Sequence, residues 1–174
     1  MRNQLLHKLI LGVMVIVVVL AGSGMVSQPA NADIQRLQED ENQVVYQSRQ
    51  KLFDRYDHTW QAIAFKRIKP DGENHFKIRL SGFPGRTEIA HFQPLNVKVP
   101  TGETFYAEDI SQEAFVDEAP AGNIGQYDFE SIISQLPTAL EVVFSVPTKE
   151  GKDIQLPVSP LSIQEWKKIA QKES

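Results

Sequence analysis

The residues best suited to chemistry gather in one short segment, DRYDHT, which contains Asp54, Asp57 and His58. A carboxylate beside an imidazole can hold a metal ion or orient a proton acceptor. The spacing matches no ligand motif, and aspartate is also a common turn former, with Tyr56 and Trp60 at hand for local packing. A hydrolase or metal enzyme using Asp57 and His58 is therefore ranked last. His75 and His91 have no partner at a spacing that sets one up. Glu103, Glu108, Asp109, Glu113, Asp117 and Glu118 are dense enough to raise calcium, but no D-x-D-x-D-G loop occurs, and a solvated acidic face is the simpler reading. The chain has no G-x-S-x-G elbow, phosphate loop or H-E-x-x-H, and it has no Cys for thiol catalysis or a thiolate zinc site. No catalytic residue, cofactor or metal site is expected.

Charge offers the better lead. The chain carries 18 Lys+Arg against 22 Asp+Glu, a formal net of −4, an ordinary balance that argues against a nucleic-acid partner. It is unevenly spread. Residues 49–98 hold ten basic and five acidic side chains, whereas residues 99–148 hold nine acidic ones and no Lys or Arg. Such segregation marks either a docking surface or two halves that lie on one another, set against two solvated faces of opposite sign.

The basic half reads as an antiparallel meander. Residues 44–53 alternate, DRYDHT supplies a turn, WQAIAFKRIK is a second strand, Pro70-Asp71-Gly72 is a turn, and HFKIRLS alternates again. A two-residue Asp71-Gly72 loop places Lys66 opposite Lys77 and groups Trp60, Lys66, Lys77 and Arg79 on one face. A three-residue loop with Gly72 left-handed puts Trp60 and the alanines with Phe76 and Ile78 instead. Separation of apolar from charged residues favours the first register, and Pro70 the second. In the first, Trp60, Lys66, Lys77 and Arg79 form the expected partner-binding site, with their repulsion offset by segment 103–118 or by an anionic partner.

Further strands are expected at 95–99, after Thr101-Gly102, at 140–146 and at 154–158, with a loop over 117–126. Asp128 looks like an N-cap for a short helix through Phe129, Ile132, Ile133 and Leu136, stopped by Pro137. A C-terminal helix follows from the Ser162–Glu165 capping box and the Ile163, Trp166, Ile169 and Ala170 spacing. The fold class is α+β: an antiparallel β-meander sheet or small sandwich with a short mid-chain helix and a C-terminal helix.

Residues 1–32 read as a signal peptide. Arg2 and Lys8 precede thirteen residues, LILGVMVIVVVLA, without a polar side chain, and Ala30-Asn31-Ala32 ends the segment with small residues at −3 and −1. That core is short for a permanent anchor, so Asp33 is the expected mature N-terminus, with no stable span after cleavage. Residues 33–42 read as a flexible polar tail, and 43–174 as a single α+β domain.

Tyr46-Gln47-Ser48-Arg49-Gln50, then Leu52, Asp54, Trp60 and Ala62-Ile63-Ala64-Phe65-Lys66-Arg67-Ile68, resemble an exported cyanobacterial family of unknown function. Gly82-Phe83-Pro84-Gly85, Gly125-Gln126-Tyr127-Asp128, Ser159-Pro160 and Glu165-Trp166 are similar too. The resemblance implies a thylakoid-bearing cell, hence the periplasm or the thylakoid lumen, and it carries over no functional residue. The expected function is that of a non-enzymatic accessory protein, monomeric in its simplest form, binding a protein component of a membrane complex. The alternative is a small-ligand-binding module with a pocket between sheet and helices, walled by Trp60 or Trp166.

Overall fold

The computed structural model describes residues 34–40, 43–70, 74–115 and 117–173. The signal-peptide reading of 1–32, Asp33 and the Asp71-Gly72 turn lie outside them. Nine strands appear among the described residues: β1 (Gln35–Asp40), β2 (Gln43–Phe53), β3 (Thr59–Ile68), β4 (Phe76–Ser81), β5 (Leu95–Lys98), β6 (Thr104–Ala107), β7 (Ile124–Asp128), β8 (Val142–Val146) and β9 (Ile154–Val158). After β9 comes the α-helix of the described residues, α1 (Pro160–Ala170). The strands make two antiparallel sheets, ordered β1-β2-β3-β4-β7 and β6-β5-β8-β9. The architecture is α+β, largely β, and not a closed barrel.

Alternation builds the core. Trp60, Ala62 and Ala64 of β3, with Phe76, Ile78 and Leu80 of β4, point from one sheet into a shared apolar cluster. Leu95, Val97, Phe144, Leu156 and Val158 enter the same cluster from the other. From α1, Ile163, Trp166 and Ile169 are fully buried, and Trp166 stacks at 6.0 Å from Phe144. The helix starts one turn earlier than the capping box suggests. Ser159 is the N-cap, its hydroxyl accepting from the Ser162 N–H at 3.1 Å, with Pro160 in the first turn.

The second hairpin takes the register of the longer loop. Lys66 pairs with Phe76 and Phe65 with Lys77, so Lys66 and Lys77 are not opposite one another. One residue of slip moves every side chain to the other face. Here it lets Trp60 and both alanines join Phe76 and Ile78 in the core, and burial of that apolar set outweighs segregation of the charges. Three further differences follow from pairing and length. Residues 35–40, expected as a tail, form edge strand β1, whose ladder to β2 needs backbone groups and not apolar side chains. Residues 124–126, expected in a loop, belong to β7. The expected mid-chain helix is a turn ending in a 3-10 segment, Ile133–Gln135. Eight residues stopped by Pro137 recover too few helical bonds to offset nucleation, yet Phe129, Ile133 and Leu136 still bury. Asp128 keeps a capping role, its carboxylate accepting from the Glu130 N–H at 2.9 Å.

Candidate functional site

Each of the four expected partner-binding residues has an internal contact, and they occupy two faces. Trp60 is 2 % exposed, and its ring lies against Gly82, where an added Cβ would come within 2.9 Å. Lys66 is buried on the same inner face. Its amine donates to the Ala170 carbonyl at 2.7 Å and lies 3.9 Å from Glu130, tying β3 to the end of α1. Lys77 and Arg79 lie on the outer face. Lys77 donates to Glu113 at 2.5 Å. Arg79 donates to the Gln126 side chain at 2.6 and 3.1 Å and rests over the Phe65 ring. The basic and acidic halves therefore meet at Lys66–Glu130 and Lys77–Glu113. The repulsion inferred for Lys66 and Lys77 does not arise.

Cations without such partners lie one strand away. Along β2 and its turn, Arg49, Lys51, Phe53 and Arg55 recur at every second position, and all four are exposed. Arg49 and Lys51 meet no acid among the described residues. Arg55 lies 5.0 Å over the ring of Tyr56, itself 65 % exposed, and Phe53 is 50 % exposed. A basic–aromatic edge results, with side chains that can desolvate and charges that are not spent. The signal was in the sequence as a period-two run, R-x-K-x-F-x-R, outweighed there by the denser cations of β3 and β4.

The turn of this hairpin carries the carboxylate–imidazole group. The Asp54 side chain is 5 % exposed. One carboxylate oxygen accepts from the Tyr56 and His58 N–H groups at 2.8 and 3.0 Å, and the other lies 3.0 Å from His58 Nδ1. Burial alone would raise the Asp54 pKa, but these bonds outweigh it and hold the carboxyl below the usual range. Asp57 completes the turn in the left-handed region, at φ 58°. His58 Nε2 has no partner among the described residues, and the side chain is 46 % exposed.

Two cavities flank that imidazole. One, of about 250 Å³, is lined by Asp54, Asp57, His58, Thr59, Trp60, Phe83, Arg86 and Thr87. The other, of about 220 Å³, shares Asp54, His58 and Thr87 and reaches Arg55, Tyr56 and Lys152. Of the two tryptophans expected in a pocket wall, Trp60 lines the first cavity, while Trp166 is fully buried with Ile163 and Ile169. His91 makes a contrast with His58. Its Nδ1 lies 3.3 Å from Asp109 and its Nε2 3.2 Å from the Ala121 carbonyl, while Asp109 also accepts from the Phe92 and Ser111 N–H groups at 2.8 Å. Both ring nitrogens are used, so that pair locks loops together. Among the described residues, no group of three or more carboxylate, imidazole or thiol side chains is placed to hold a metal ion.

A model of the family described as "Protein of unknown function (DUF3122)" matches residues 32–169. No curated protein and no solved structure significantly matches the chain.

Proposed function

The chain belongs to this family of proteins of unknown function, DUF3122, and from that premise we propose that it is an exported, non-enzymatic accessory protein that docks on an acidic surface of a membrane complex. The docking edge is the outer side of the β2–β3 hairpin, with Arg49, Lys51 and Arg55 supplying charge and Phe53 and Tyr56 supplying contact area. The observation that carries the reading is the difference in partnering. Arg67, Lys77 and Arg79 on the same outer face all bond to side chains of the fold, whereas Arg49 and Lys51 bond to none among the described residues. Exposed aromatics interleaved with unspent cations suit a protein surface of opposite sign, since Tyr, Phe and Arg anchor interfaces and complementary charge speeds encounter.

Export rests on the basic start, apolar core and Ala-x-Ala ending of residues 1–32, and the periplasm or thylakoid lumen on the cyanobacterial resemblance. No helix among the described residues is long and apolar enough to cross a membrane, so in this reading the partner supplies the attachment. The test is capture from detergent-solubilised membranes of the native cell, followed by mass spectrometry. One acidic membrane-complex subunit should be recovered with the wild type and lost with Arg49→Glu/Lys51→Glu. Capture should also weaken as salt rises, because screening shortens to roughly 3 Å at 1 M. Equal recovery by both proteins contradicts the proposal.

A further inference from the structure

We infer that the cavity beside His58 is a binding site for a small oxyanion, a carboxylate or phosphate group on a short body. The inference goes beyond the docking edge and rests on different residues. The wall opposite the hairpin is a built feature. Phe83-Pro84-Gly85-Arg86 is a tight turn in which Gly85 takes φ 75° and the Arg86 N–H donates to the Phe83 carbonyl at 3.3 Å. Its base is fixed on both sides: Gly82 exchanges hydrogen bonds with Asn123 at 2.8 and 3.0 Å and lies against the Trp60 ring. The turn therefore holds Arg86 and Thr87 on the rim of a cavity whose other rim is His58 and Thr59.

Chemistry selects the ligand class. Asp54 spends both oxygens on donors from its own turn, which makes Nδ1 of His58 the committed ring nitrogen. Nε2 stays free for a ligand, as does the Arg86 guanidinium, which meets no acid among the described residues. When the His58 ring is protonated its Nε2–H joins the Arg86 guanidinium as a second nitrogen donor, and with the two threonines around the cavity they match the acceptor oxygens of a carboxylate or phosphate, either of which a guanidinium can bind in a forked manner. Trp60 and Phe83 give the body of the ligand an apolar wall. The volume, about 250 Å³, suits a small molecule and falls below the usual range of about 300–1,000 Å³ for drug-sized ligands. Asp54 and Asp57 are the opposing charges on the same cavity; Asp54 is engaged by its own turn, so Asp57 supplies the sharpest test. Neutralising it should strengthen the site.

The experiment titrates the purified protein with inorganic phosphate and, separately, with succinate at constant ionic strength, following the His58 ring resonances by NMR. The expected result is a saturating shift with at least one probe, and which probe saturates identifies the source of the oxyanion. Arg86→Gln should weaken it about tenfold, the scale of a charge-assisted hydrogen bond. Asp57→Asn should tighten it about two- to fivefold, the range for removing one exposed charge. Asn tolerates the left-handed backbone as Asp does, and Arg86 is exposed, so both variants keep the wild-type melting temperature. Shifts that rise linearly with both probes, no effect of Arg86→Gln, or weakening by Asp57→Asn each overturn the inference. None of these outcomes touches Arg49 or Lys51, so the docking reading stands or falls separately.

Discussion

Two sets of cations sit on neighbouring strands of one sheet and have opposite fates. Lys66, Lys77 and Arg79 of β3 and β4 each bond within the fold, to Ala170, Glu113 and Gln126. Arg49 and Lys51 of β2, with Arg55 in the turn that follows, are exposed, and they alternate with an aromatic ring that water also reaches. Density of charge in the sequence does not distinguish them. Partnering does: a cation whose hydrogen bonds are taken holds the architecture, and one whose bonds are open is free to recognise something else.

The architectural side breaks hardest at its apolar anchor. Trp166→Ala removes a fully buried ring from beside Phe144 and should cost about 3–5 kcal/mol, read as a lowered denaturant midpoint. A midpoint close to wild type would mean that α1 is not held by the core. Next comes Lys66→Met, which keeps the length but leaves the Ala170 carbonyl unanswered; about 1–3 kcal/mol should be lost. A neutral result would move Lys66 to the other side of the comparison.

A smaller effect is expected at the hairpin turn, with a definite sign. Asp54 has a native pKa held below its usual value of 3.8, so its ionised form contributes stability above that pH. The contribution is lost as pH falls through the lower native value. Asp54→Asn should therefore be less stable than wild type at neutral pH, and the gap should close in strong acid. A gap that widens on acidification contradicts the bonding pattern. Smallest of all is Arg49→Glu/Lys51→Glu, expected to change stability by no more than about 0.5 kcal/mol while abolishing capture.

Much of this frame is legible in the sequence, and the failures have physical causes. The three strands of the meander and those at 95–98, 142–146 and 154–158 announce themselves by alternation and turn residues. The register of the β3–β4 hairpin does not, because it hangs on one residue of loop, and the wrong choice sends Lys66 to the surface. Nothing local says that this lysine reaches the end of a helix a hundred residues on. β1 is invisible for the reverse reason: its polar side chains follow from an edge position, and backbone bonds to β2 make its ladder. At the candidate site, Asp54, Asp57 and His58 stand out in the string DRYDHT, but Arg86 and Thr87 come from another loop, so the cavity appears only once the chain is folded.

The most direct measurement sets the two groups of cations against each other in one experiment. Arg49→Glu/Lys51→Glu and Lys77→Glu are compared with wild type for capture of solubilised membrane complex, with melting temperatures recorded alongside. The account predicts that the β2 variant melts as wild type and captures nothing. Lys77→Glu, which places a second carboxylate against Glu113, should melt lower yet capture as wild type at temperatures where it is folded. Capture lost with Lys77→Glu and kept with the β2 variant would contradict the account.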